Sequence, residues 1–151
     1  MPSSAVQIKS FLAKYSPAIA ADVQFARRAL KRLVPRGFEL VYDNYNTLAF
    51  GYSPTSRAGG AIVSVAAYPK WVTLFFLHGK GLKDPNGLLQ GAGARVRSIR
   101  LAPAKLINTK PVQALLRQAL EPHQPELAAA PRLSSVVKSI SVKQRSRRPK
   151  K

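Results

Sequence analysis

FELVYDNYNTLAFGY, residues 38–52, is where the hydrophobic period of this chain changes, and that change decides the fold. Phe38 to Asp43 and Thr47 to Tyr52 are rich in Phe, Tyr, Leu and Val, residues that suit a pleated, half-buried surface. Only Asn44-Tyr45-Asn46 separates the two runs, so they read as a hairpin. Upstream the period is helical. Ile8, Phe11, Leu12 and Tyr15 fall on one helical face, with Ser3 or Ser4 as its cap. Ser16-Pro17 then supplies a second N-cap followed by proline at the first helical position. Ile19, Val23, Ala26, Leu30 and Leu33 give that second helix its stripe, and Pro35-Arg36-Gly37 stops it.

Downstream the strand pattern continues. Ser53 to Gly60 is a polar link. Ala61 to Ala67 and Trp71 to Leu77 are two further strands around a Tyr68-Pro69-Lys70 turn, the second apolar enough to be central. Gly79 to Gly93 is a glycine-rich loop, and Val96 to Leu101 a fifth strand. Val112, Leu115, Leu116, Ala119 and Leu120 form the stripe of a last helix from about Pro111, ended by Glu121-Pro122. The expectation is an α+β domain over residues 1–121. It has an antiparallel sheet of about five strands, with helices from both chain ends on one face. Residues 122–151 turn Pro- and Ala-rich and then basic. They are expected to form a mostly disordered tail, in which only Leu133 to Val142 has the apolar content to dock as a short strand or helix.

Charge is the strongest functional signal. The chain carries 25 Lys and Arg against 6 Asp and Glu, a net +19 in 151 residues. Such an excess does not help folding and points to an anionic partner: nucleic acid or a ribonucleoprotein first, with peripheral contact at an anionic membrane surface as the other class. Residues 1–50 hold 7 basic and 3 acidic residues, residues 51–120 hold 10 and 1, and residues 121–151 hold 8 and 2, so most of the excess lies outside the tail. With no cysteine, disulfides, thiolate catalysis and thiolate-held metals are excluded. No apolar run reaches the roughly 20 residues that span a bilayer. Lys9 and Lys14 interrupt any signal-peptide core, so a cytoplasmic protein is expected.

Four groups of residues are candidates for contact with an anion. On the second helix, Arg27, Arg28, Lys31 and Arg32 make two like-charged i,i+4 pairs, each costing roughly a few tenths of a kcal/mol. They read either as a solvated face or as a phosphate stripe. Lys80, Lys83, Arg95, Arg97 and Arg100 surround the glycine-rich segment, where Gly79-Lys80-Gly81 and Gly91-Ala92-Gly93 are either plain turns or anion nests. In the tail, Lys143, Arg145, Arg147, Arg148, Lys150 and Lys151 form a basic run of the nucleic-acid-arm kind. Tyr68, Trp71 and Phe75, with Tyr52 beside them, form an aromatic face that either stacks bases or is covered. No catalytic set assembles. His78 has no partner fixed by spacing, Asp84-Pro85-Asn86-Gly87 is a turn, and Glu39 and Asp43 share a strand face but lie too far apart for a dyad. The chain reads as non-enzymatic, with no cofactor.

WVTLFFLHGKGLKDPNGLLQGAGARVRSIRL, Trp71 to Leu101, resembles the bacterial YdhG-like family, and looser similarity extends from about Val23 to the Leu115–Ala119 helix. The resemblance implies an antiparallel sheet flanked by helices, similar to frataxin. It also implies an iron-chaperone role, as described for some relatives; the loop residues themselves leave a small anionic ligand at Gly79–Gly93 as a further alternative. Iron chaperones of that shape use acidic residues on the first helix and strand. Here those elements offer Asp22, Glu39 and Asp43 amid Lys9, Lys14 and Arg27, and no metal ligand is assigned.

Overall fold

A computed structural model describes residues 2–149. Helix α1 (Ser4–Leu12) is capped by Ser3, whose hydroxyl accepts the Val6 N–H. Helix α2 (Pro17–Leu33) is capped by Ser16 and starts on its proline. Five strands follow: β1 (Phe38–Asp43), β2 (Leu48–Ser53), β3 (Val63–Ala67), β4 (Val72–Phe76) and β5 (Arg97–Arg100). Helix α3 (Lys110–Leu120), the six-residue α4 (Gln124–Ala129) and strand β6 (Ser134–Ile140) complete the chain.

The six strands form one sheet in the order β5-β4-β3-β2-β1-β6. Consecutive strands from β1 to β5 pair antiparallel, as short turns require. β6 pairs parallel with β1, placing Glu39 opposite Ser135 and Val41 opposite Val137. The expectation of a wholly antiparallel sheet is therefore corrected to a mixed one of six strands. A parallel neighbour needs a long crossover, and everything from β2 to α4 supplies it. Two backbone bonds guide the return, Gly37 N–H to the Pro131 carbonyl and Leu133 N–H to the Pro35 carbonyl.

The helices cover one face of the sheet, α2 lying over β3 and β4 and α3 over β3. Val41, Leu48, Phe50, Val63, Val65, Leu74, Phe76 and Ile99 meet Val23, Leu30, Val112 and Leu116 in a single core. Alternation sends Leu40, Ala49, Gly51, Ser64, Ala66, Thr73, Phe75 and Arg100 to the opposite face. Part of that face is overlaid by the Ser53–Ile62 link. A side chain at Gly51 would bring its Cβ within 2.8 Å of the Ala61 Cβ, so the link passes there only because residue 51 is glycine.

The C-terminal segment belongs to this fold, which corrects the expected disorder. Beyond α4 and β6, Ser141 N–H donates to the Asp43 carbonyl and Arg145 N–H to the Tyr45 carbonyl. The Arg147 side chain, 3 % exposed, closes the β1–β2 hairpin. Its guanidinium donates to Asp43 Oδ1 at 3.0 Å and to the Tyr45, Asn44 and Thr47 carbonyls. Arg148 is exposed and reaches only the Ala13 and Lys14 carbonyls. Lys150 and Lys151 lie outside the described residues.

Removing one partner of a buried ion pair costs about 3 kcal/mol or more, whereas an exposed substitution stays within about 0.5 kcal/mol. Arg147→Ala should therefore lower stability to urea by about 3 kcal/mol while Arg148→Ala leaves it nearly unchanged. Equal, small effects for both would contradict a docked C-terminal segment.

Candidate nucleic-acid interface

β1 presents Glu39, Val41 and Asp43 to the helix-covered side, so two carboxylates enter a space otherwise filled by apolar side chains. Each is met by cations. Arg27 of α2 forks onto Glu39, Nε–H donating to Oε2 at 2.9 Å and an Nη2–H to Oε1 at 2.6 Å. Its guanidinium carbon lies 4.3 Å from the Phe50 ring centroid, and its remaining nitrogen donates to Gln24 Oε1. The Tyr52 and Ser135 hydroxyls donate to the same carboxylate, and Lys31 Nζ stands 3.9 Å away. Asp43 accepts from Lys14 Nζ at 2.7 Å, from Gln144 and from Arg147.

These networks set the protonation of the buried groups. Burial alone would raise the Glu39 carboxyl, but the hydrogen bonds and charge of Arg27, with Ser135 and Tyr52, outweigh it and hold the group below the usual carboxylate range. Burial likewise opposes ionisation of Asp43, and the bonds from Lys14, Gln144 and Arg147 reverse the sign. Burial and the neighbouring Glu39 charge push the Tyr52 phenol well up. Burial pushes Tyr15, whose hydroxyl donates to the Ala67 carbonyl, up to about 12.

The expected interface residues now divide. Arg27 and Arg147 are buried structural cations, so neither is available to a phosphate; both expectations are corrected. Tyr52 is also removed from the aromatic face, since it is wholly buried on the covered side. Arg28, Lys31 and Arg32 stay exposed along α2, and Lys143, Arg145 and Arg148 beyond β6. Lys80, Lys83 and Arg95 are exposed on the loop before β5, whereas Arg97 is half-buried and donates to the Gly93 and Val96 carbonyls. Arg100 is exposed, with its guanidinium 4.4 Å from the Trp71 ring centroid. Tyr68, Trp71 and Phe75 are half-buried on the sheet face away from the helices.

Some of the glycine-rich segment's backbone donors are committed within the protein. Gly79 and Lys80 N–H bond the Phe76 and Arg95 carbonyls, so two of the three donors in the first expected nest are committed. Both Asp84 oxygens accept backbone donors, from Leu88 N–H and Leu89 N–H, so this turn already holds a carboxylate of its own. An open groove of about 650 Å³ lies between α1 and α2, with Lys9 and Lys31 at its sides and Arg27 and Ser135 in its lining.

The Glu39 and Asp43 networks were missed in the sequence, yet signals for them exist. Arg27 stands four residues after Val23 and three before Leu30, on the buried stripe. Glu39 and Asp43 flank Val41 on one strand face, so all three share an environment. No family model, curated protein or solved structure matches this chain.

A carboxyl depressed in the folded state contributes stability that is present above its unfolded value, near 4, and lost as pH falls through the folded one. Stability should therefore hold from pH 7 to about 5 and fall steeply below about 4. Glu39→Gln should lower stability at neutral pH by about 3–5 kcal/mol and flatten the acid limb. Urea unfolding at a series of pH values checks this; a wild-type curve flat to pH 3 would contradict it.

Proposed function

We propose that this protein is a non-enzymatic, strongly basic binding domain that engages nucleic acid or a nucleoprotein through phosphate contacts. One observation carries the reading: among the described residues only Arg27 and Arg147 of the many basic side chains are buried. Of the six carboxylates that could offset the rest, four already have partners, which leaves Asp22 and Glu121 against the remaining cations. Glu39 and Asp43 face inward, both Asp84 oxygens take backbone donors, and Glu126 lies beside His123. The outer surface is left with exposed cations on α2, on the Lys80–Arg95 loop, on β5 and beyond β6.

Like charges held this close repel one another, and a polyanion relieves that repulsion while releasing its condensed counterions. Contacts of this kind read the backbone and not the bases, so the domain should bind many sequences with similar affinity. The resemblance of Trp71–Leu101 to the YdhG-like family implies a wholly antiparallel sheet, whereas β6 here pairs parallel with β1. The iron role it implies draws no support from β1, whose two carboxylates already hold guanidinium groups.

Affinity for a duplex oligonucleotide should fall linearly with log salt, each phosphate contact contributing a slope of about −0.9. Reversing Arg28, Arg32, Lys80 and Lys83 to Glu should reduce that slope by about three to four units and leave the circular dichroism spectrum unchanged. Affinity that does not respond to salt between about 50 and 200 mM would overturn the proposal.

A further inference from the structure

We infer that half-buried Tyr68, Trp71 and Phe75 with exposed Arg100, on the sheet face away from the helices, form a stacking site for the unpaired bases of single-stranded nucleic acid. The inference rests on the proposed function and deepens it, from contact with phosphate to a class of ligand and a place on the fold.

The register builds the face. One row across the sheet runs Tyr42, Ala49, Ala66, Thr73, Arg100, and the next runs Leu40, Gly51, Ser64, Phe75, Ser98. Strands β2 and β3 contribute only Ala, Gly and Ser to these rows, while the covered face of the same strands carries Leu48, Phe50, Val63 and Val65. The aromatic rings of the face therefore stand above a floor of small side chains. Trp71 precedes Thr73 by two residues and Tyr68 follows Ala66 by two, so both extend the same face beyond the strand ends.

The rings are already arranged for stacking. Tyr68 and Trp71 have centroids 5.2 Å apart and planes within 24°, held by the turn in which Tyr68 N–H donates to the Trp71 carbonyl. The Arg100 guanidinium lies 4.4 Å from the Trp71 centroid, on an edge strand where its side chain is exposed. A base adds a third flat surface to this set, with Arg100 stacking on it or turning to its phosphate. Every base offers such a surface when unpaired, whereas in a duplex both of its faces are taken by neighbours. The +19 charge supplies the long-range attraction that brings the strand to the face.

Trp71 is the chain's single tryptophan, so its fluorescence reports on this face alone. The test titrates the full-length protein at low salt with a thymidine oligonucleotide, a uridine oligonucleotide, a duplex of equal length and heparin, a polyanion without bases. Either single strand should quench Trp71, the duplex much less, and heparin should bind without comparable quenching. Trp71→Ala should weaken single-strand affinity roughly tenfold or more while heparin affinity stays the same. Tyr68→Ala, at a half-buried turn position outside the strands, repeats the comparison should Trp71→Ala fail to fold. Single strands that bind with no more quenching than heparin, and equally well to the Tyr68→Ala variant, would overturn the stacking site and leave the phosphate reading standing. Failure of every nucleic acid to bind would overturn both.

Discussion

Two carboxylates on one strand hold this structure together. β1 delivers Glu39 and Asp43 into the layer between sheet and helices, where an isolated charge would cost several kcal/mol even after relaxation. The chain answers from three directions. Arg27 descends from α2 onto Glu39, Lys14 comes from just beyond α1 onto Asp43, and Arg147 comes from beyond β6 onto the same Asp43. The two helices, the first hairpin and the C-terminal segment are thereby tied to one strand. Apolar burial is the larger energy, but it is non-directional; the paired charges select the register and bring the last residues back beside β1.

The same pairing explains how a protein with so large a positive excess can be compact. Two of its six acids, Glu39 and Asp43, hold cations inside. The price is an outer surface almost without counter-charge, which raises self-repulsion and suits the domain to a polyanion. Under the proposed function, stability and binding draw on separate sets of cations: Arg27, Arg147 and Lys14 pair with the acids of β1, and Arg28, Arg32, Lys80, Lys83, Arg95 and Arg100 are left for the proposed partner. The sheet face away from the helices carries half-buried aromatic rings beside one of those cations, Arg100.

Much of the fold was legible because its periods are clean. The 3.6-residue spacing from Ile19 to Leu33 marks α2, and the β-rich runs either side of Asn44-Tyr45-Asn46 mark the hairpin. β6 was legible only as a segment, Leu133 to Val142, able to dock as strand or helix: Pro122, Pro125 and Pro131 before it and a run of Lys and Arg after it make the surrounding chain read as a tail. Its parallel direction depends on a crossover spanning most of the chain, which no local pattern encodes. At the site, exposure could be read for Arg28 and Arg32 from their place opposite the apolar stripe. The burial of Arg147 could not, because it depends on a hairpin a hundred residues earlier.

The division of the cations is the centre of this account, and the side-chain Nε–H resonances of arginine follow it directly. During titration of the labelled protein with a thymidine oligonucleotide, Arg28, Arg32, Arg95 and Arg100 should shift together, while Arg27 and Arg147 keep their positions. Early movement of Arg27 or Arg147, or a spectrum in which no arginine responds, would contradict it.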